Sequence, residues 1–375
     1  MKKLLVLILC FSVAFAFTIR VAAADIPDTG ANAFVLYCVE NKKIIFSKNE
    51  NERMKPASTT KLMTTLLTLE EAAKNDRVIT FTDEMTAEGS SMYLEVGEKL
   101  RLSDLATGMM MVSGNDAANA AAVSISGSNK KFSNLMNTRA KQIGMENTHF
   151  VTPSGLDDDE HYTTAADMAL LMAEGLCNKA FSSLTSQKSA VVSFAEPSDK
   201  KITYANHNRL LKLYPDCIGG KTGYTTAAGR CLVSAARRNG VTLVCVTLDD
   251  RTDWNDHISL YDYGFSRLSG YHSADGSLRI DVPCVGGSEK TVAVTGESDI
   301  DIVLENDGAD KIDRKVYLDN FVYAPVKKGD ALGRIDYLLD GKVLKSVNLK
   351  ADENVGEKRV KKGFFQRIKE FFTYG

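Results

Sequence analysis

Three short polar words, each set at the edge of an apolar segment, constrain this chain more than anything else in it. They are Ser58-Thr59-Thr60-Lys61, Ser113-Gly114-Asn115 and Lys221-Thr222-Gly223. The first follows Pro56-Ala57 and precedes Leu62, Leu66, Leu69 and Ala73, the spacing of one helical face, so Ser58 is expected to open a helix running to Lys74. The second follows Met109-Met110-Met111-Val112, and the third opens a strand-rich segment. A serine three residues before a lysine on a helix places both side chains on one face. A hydroxyl becomes a nucleophile only when a base takes its proton, and lysine can be that base only if burial and a second cation lower its pKa. Lys221 is the expected second cation.

Each word alone is weak. Ser128 with Lys131 and Ser198 with Lys201 repeat the first spacing, and Ser47-Lys48-Asn49 and Ser346-Val347-Asn348 repeat the second, whereas Lys-Thr-Gly occurs once. The conjunction, in this order and in these settings, carries the reading of a serine acyl-transfer site.

The organisation around the words is that of a mixed α/β domain over residues 25–268. Ala33 to Val39 and Ile44 to Phe46 read as a hairpin. Helices are expected over Ser58 to Lys74, around Leu102 to Val112, from Asp116, from Lys130 to Ile143 with Gly144 as its cap, and from Thr164 to Lys179. Arg230 to Arg237 and Val241 to Leu248 read as strands joined by the tight-turn pair Asn239-Gly240, and a last helix runs from Asp256 to Leu268. From 270 to 355 the texture changes to short alternating runs such as Thr291 to Val294 and Arg314 to Phe321, the signature of a small all-β domain.

The ends differ from both domains. Lys2 and Lys3 precede an apolar stretch from Leu4 to Phe17, and Ala22-Ala23-Ala24 offers a small-residue cleavage site, so residues 1–24 read as a signal peptide. Cleavage after Ala16 is the second option and a retained membrane anchor the third, which Arg20 opposes. At the other end, over 356–375, six basic residues from Lys358 to Lys369 surround Phe364, Phe365, Ile368, Phe371 and Phe372. That spacing predicts an amphipathic helix lying in an anionic membrane interface, the alternative being a helix docked on its own β domain. Removing Lys2, Lys3 and Arg20 from the 46 basic residues leaves 43 against 48 acidic ones, which excludes a nucleic-acid footprint. Six cysteines remain after residue 24 at irregular spacing; buried free thiols are expected, with Cys217 and Cys231 the first pair to examine for a disulfide.

At the residues themselves the chain resembles a known family, the low-molecular-mass penicillin-binding proteins that act as serine-type D-alanyl-D-alanine carboxypeptidases. The resemblance rests on Pro56-Ala57-Ser58-Thr59-Thr60-Lys61-Leu62-Met63-Thr64, Val112-Ser113-Gly114-Asn115-Asp116-Ala117 and Gly220-Lys221-Thr222-Gly223-Tyr224-Thr225, and on the β domain and amphipathic tail that follow. It implies a penicillin-binding-protein/β-lactamase-like transpeptidase domain with an antiparallel sheet and flanking helices. It implies Ser58 as the acylated nucleophile, Lys61 as its base, Ser113 as a proton relay and Asn115 as a holder of the peptide amide. Lys221 would supply positive potential, Thr222 would bind the terminal carboxylate, and the backbone N–H groups of Ser58 and Tyr224, beside Gly223, would form the oxyanion hole. Arg251 resembles the family's second carboxylate clamp, with a surface pair to its own aspartates as the alternative. The implied partners are peptidoglycan stem peptides ending in D-Ala-D-Ala and β-lactam antibiotics as covalent inhibitors; no cofactor or metal is implied. Asn206-His207-Asn208-Arg209-Leu210 matches a family segment loosely, and whether His207 or Arg209 reaches a substrate is left open.

Other readings fit less well. A D,D-endopeptidase or a β-lactamase of the same superfamily would share the three words. Glu174 superficially fits the glutamate that a class A β-lactamase adds, but it ends an apolar helix 61 residues past Ser113, where a surface role is expected. A zinc carboxypeptidase lacks ligand spacing, because His149, His161, His207, His257 and His272 are scattered. A phosphate loop at Gly219-Gly220-Lys221-Thr222 fails at Pro215, which stands where its first glycine belongs. A non-catalytic cell-wall binding protein would have no need of three intact words.

Overall fold

The computed structural model describes residues 26–358. The expected signal segment lies outside the described residues, and so does the expected tail helix beyond Lys358. Glu357 bridges Gly287 and the Lys358 N–H donates to the Gly286 carbonyl at 2.7 Å, so the first residues assigned to that tail are bound to the β domain.

The first domain is built on a five-stranded antiparallel sheet. Its strands are β1 (Ala33–Cys38), β2 (Lys43–Lys48), β3 (Cys217–Thr225), β4 (Gly229–Arg238) and β5 (Val241–Leu248), in the order β2-β1-β5-β4-β3. The β4–β5 hairpin turns on Asn239 and Gly240, both at positive φ, as that pair of residues predicts. β5 is buried at every position because it is central and covered on both faces. The alternation of strand side chains divides the core: Val35, Tyr37, Val233, Ala235, Val244 and Val246 point into the larger helical layer, while Phe34, Leu36, Leu232, Ala236, Leu243 and Cys245 face the last helix.

The larger layer contains α1 (Lys61–Lys74), α2 (Leu102–Met111), α3 (Asn115–Ser126), α4 (Asn129–Ile143) and α5 (Ala165–Cys177). The opposite face is covered by α6 (Asp253–Arg267), which starts three residues earlier than the apolar pattern predicts. α4 ends at Gly144, whose φ of 91° makes it the left-handed cap that the sequence anticipates. α1 departs from the one-faced pattern: every residue from Lys61 to Leu69 is buried, whereas Ala73 is exposed, because the helix runs through the middle of the layer. Ser58 sits not in α1 but in a 3-10 turn, Ala57–Thr60, that leads into it.

The second domain is a six-stranded sheet in the order 313–318, 331–339, 342–351, 291–296, 280–285, 322–323, with its own core of Val292, Val294, Ile335, Tyr337, Val347 and Leu349. The strand Leu268–Ser273 continues directly from α6 and pairs with Ile300–Glu305. Cys38, Cys177, Cys217, Cys231, Cys245 and Cys284 are all free thiols, so the Cys217–Cys231 disulfide is not formed. Among the described residues no helix is long and apolar enough to cross a membrane, and no group of side chains could hold a metal ion.

Candidate active site

The site forms where the N-terminal end of α1, the α2–α3 turn and the edge strand β3 meet. Lys61 is the fixed point. Its side chain is fully buried, and its Nζ lies 2.9 Å from Ser58 Oγ, 2.6 Å from Asn115 Oδ1 and 2.7 Å from the Ser154 carbonyl. Burial pushes its pKa well below the usual lysine value, the nearby Lys221 pushes it further in the same direction, and Asp116 opposes them. A neutral amine has two N–H donors and one lone pair. Asn115 Oδ1 and the Ser154 carbonyl can only accept, so they take the two hydrogens and leave the lone pair for the proton of Ser58. The surroundings of Lys61 therefore suit a base.

Lys221, equally enclosed, donates from Nζ to the Thr222 carbonyl at 2.9 Å, and burial brings its pKa down to about 7. β3 comes close enough to the nucleophile that only a glycine fits at its next position. A Cβ on Gly223 would lie 2.9 Å from the Ser58 nitrogen and 3.1 Å from Ala57 Cβ. The other such point is Gly155, at φ +83°, where a Cβ would fall 1.9 Å from the Ala57 carbonyl oxygen. That close contact seats the 153–155 loop under the 3-10 turn, where its Pro153 and Ser154 carbonyls accept from Thr64 Oγ1 at 2.6 Å and from Lys61.

The α2–α3 turn supplies the third part. Ser113 takes a left-handed φ of +62°, a strained conformation for a residue with a Cβ, and its Oγ is buried without a hydrogen-bond partner among the described residues. Asp116 fixes the facing loop, accepting from Ser91 Oγ at 2.6 Å and from the Met92 and Leu94 N–H groups at 2.9 and 3.1 Å. The Asn115 side chain is held at both ends: its Oδ1 accepts from Lys61, and its Nδ2 donates to the Glu88 carbonyl at 2.6 Å.

These parts border an open cleft of about 320 Å³ lined by Ser58, Ser90, Ser113, His207, Thr222, Gly223, Tyr224, Arg230, Asp253 and Trp254. Of the nine residues the sequence singles out, Ser58, Ser113, Thr222, Gly223 and Tyr224 line the cleft, while Lys61, Asn115 and Lys221 are buried around Ser58 and Ser113. Arg251 is exposed and does not line it. The question left open by the Asn206-His207-Asn208 segment is answered for position: the asparagines make turn hydrogen bonds, whereas His207 stands at the rim of the cleft. Partial burial lowers the His207 pKa, and Lys221 adds to the shift. Arg209 packs over Trp254 at 6.0 Å. Sequence reasoning missed Arg230, Asp253, Trp254 and the Ser154 carbonyl; only the Asp249-Asp250-Arg251-Thr252-Asp253 charge run marked the neighbourhood. Glu174 pairs with Arg139 at 2.6 Å and is absent from the cleft lining, so it supplies no deacylating base of the class A type.

Comparison with known proteins points to one family. Residues 20–252 match the family model described as D-alanyl-D-alanine carboxypeptidase, and residues 274–357 match that of the penicillin-binding protein 5 C-terminal domain. The chain is 32% identical over 335 residues to the D-alanyl-D-alanine carboxypeptidase DacF of Bacillus subtilis, covering 87% of this chain and 86% of that protein. It is 33% identical over 368 residues to the D-alanyl-D-alanine carboxypeptidase DacC of Escherichia coli, covering 92% and 88%. Among solved structures, penicillin-binding protein 5 from Haemophilus influenzae superposes with a TM-score of 0.64 at 29% identity, over 88% of this chain and 99% of that one.

Proposed function

The chain belongs to the D-alanyl-D-alanine carboxypeptidase family, and from that premise we propose that it removes the terminal D-alanine of peptidoglycan stem peptides through an acyl-enzyme on Ser58. The observation that carries the mechanism is the environment of Lys61: two obligatory acceptors and a depressed pKa beside the Ser58 hydroxyl.

The peptide lies along β3, an edge strand: Thr185 Oγ1 covers its outer side at Gly220, and beyond that point the strand is free to offer main-chain hydrogen bonds at Tyr224. Lys61 takes the Ser58 proton as Oγ attacks the carbonyl of the penultimate D-alanine. The backbone N–H groups of Ser58 and Tyr224 stabilise the tetrahedral oxyanion. Ser113, whose hydroxyl has no hydrogen-bond partner among the described residues, gives its proton to the departing nitrogen and recovers one from the Lys61 ammonium, which returns Lys61 to the neutral amine. D-Alanine leaves, and water then cleaves the ester by the same steps in reverse. Lys221, enclosed beside Thr222, supplies positive potential next to the substrate's carboxylate, while Lys61 rests neutral as the base. A β-lactam enters the same path because its strained amide stands where the scissile bond would be, and its ring keeps the leaving group tethered.

The working test is release of free D-alanine from a peptide ending in D-Ala-D-Ala. Wild-type protein releases it and Ser58→Ala does not; equal release by both would end the Ser58 mechanism.

The chain works at the outer face of the bacterial cytoplasmic membrane, exported by residues 1–24 and held peripherally by 356–375. The support is the charge and apolar spacing of those segments. Deleting 359–375 should release the protein from anionic vesicles while hydrolysis of soluble peptides continues. Unchanged cosedimentation would place the anchor elsewhere.

A further inference from the structure

The cleft contains a guanidinium that the family resemblance does not assign. Arg230, on β4, pairs directly with Tyr224 of β3. Cross-strand partners share a face of the sheet, and residues two apart on a strand share it too, so Arg230 projects on the side of Tyr224 and Thr222. All three line the cleft.

One side of the Arg230 fork is committed. Its Nε donates to Asp253 Oδ2 at 3.1 Å, and its Nη2 donates to Oδ1 and Oδ2 of the same carboxylate at 2.7 and 2.9 Å. The Asp253 side chain is 3% exposed, and its Oδ1 also accepts from the Trp254 N–H at 2.9 Å. The Trp254 ring centre stands 5.9 Å from the guanidinium carbon. A guanidinium has five N–H bonds. Asp253 takes the parallel N–H bonds of Nε and Nη2 side-on, and the two on Nη1 have no partner among the described residues, although the side chain is 43% exposed.

Such an arrangement suits recognition better than simple support. A buried aspartate and a tryptophan hold the fork in one orientation, so little rotamer freedom remains to be lost when a ligand arrives. Because Asp253 offsets the charge of Arg230, the pair contributes direction rather than net potential, which the nearby Lys221 can supply. The geometry points to Arg230, held by Asp253 and Trp254, as the residue that reads the free carboxylate of the leaving D-alanine, with Thr222 Oγ1 as the second donor. This rests on the carboxypeptidase reading above and adds its specificity determinant. A peptide that continues past the second D-alanine, or ends in an amide, offers no carboxylate at this place.

The test compares two peptides on each enzyme preparation, one ending in D-Ala-D-Ala with a free carboxylate and the other its C-terminal amide. kcat/KM is read from D-alanine or D-alaninamide release. Wild type favours the free acid. Arg230→Gln should lower kcat/KM for the acid about 100-fold, as expected for losing charge-assisted hydrogen bonds, and leave the amide within about threefold. Arg251→Gln should leave the preference intact. The ratio is independent of how much of a variant folds, and Arg230→Lys, which keeps a cation for Asp253, should also reduce it if the glutamine variant cannot be obtained.

A preference that survives the Arg230 substitution, an equal loss on both peptides, or a preference abolished by Arg251→Gln overturns the assignment. If wild-type protein releases product from neither peptide, the carboxypeptidase reading itself fails, and the Arg230 assignment with it.

Discussion

On opposite faces of the same five-stranded sheet, two serines make hydrogen bonds to basic side chains. On one face Ser58 Oγ lies 2.9 Å from Lys61 Nζ; on the other, Ser234 Oγ lies 2.7 Å from His257 Nδ1 and 2.6 Å from the Tyr261 hydroxyl. Burial lowers the pKa of both bases, that of His257 to about 3. A serine beside a perturbed base is therefore not enough to make a nucleophile. Ser234, His257 and Tyr261 are wholly buried, and both His257 nitrogens are partnered, the second by Thr247 at 3.2 Å. The cluster is closed to ligand and its hydrogen bonds are spent. Around Ser58 the bonding is incomplete at the places where a substrate would complete it: Ser113 Oγ has no partner among the described residues, and Ser58, Ser113 and Thr222 border the cleft. Access and spare hydrogen-bonding capacity, more than pKa, separate the reactive serine from the structural one.

The largest effect expected from this comparison is at Lys61. Lys61→Arg keeps a cation but cannot give up its proton at neutral pH, so acylation should fall by at least about 100-fold, the range for losing a general base. Stopped-flow acylation by a chromogenic β-lactam measures it, and a near-normal rate would mean that another group takes the Ser58 proton.

Ser234→Ala should reverse the pattern. It leaves His257 Nδ1 and the Tyr261 hydroxyl short of a buried partner, at a cost of about 1–3 kcal/mol of stability, while D-alanine release per folded molecule stays unchanged. Denaturant unfolding read beside activity decides it. A loss of turnover with full stability would make the sealed cluster part of the site and erase the distinction drawn here.

The same contrast explains what the sequence disclosed. The reactive cluster was legible because its side chains come from short words whose settings differ: a helix entry, a helix–helix turn and a strand. Even so, Lys221-Thr222-Gly223 reads as the opening of a strand-rich segment, whereas it lies in the middle of β3. Gly219 and Gly220 just before it hide the strand, since glycine carries little β signal. Arg251 could be named from its resemblance to the family's carboxylate clamp, but nothing in a linear reading shows that Arg230, across the hairpin from Tyr224, is the arginine in the cleft. The Ser154 carbonyl that completes the Lys61 environment is main chain, and no residue type announces it. The left-handed backbone of Ser113 is one that a residue with a Cβ rarely adopts, so the residue type gives no sign of it.

The most direct measurement is intact-mass and peptide-mapping analysis of the wild-type protein after exposure to a β-lactam. The account predicts a single adduct, located on Ser58, formed by the wild-type chain and absent from Ser58→Ala. An adduct on another residue, or one that persists when Ser58 is alanine, would contradict it.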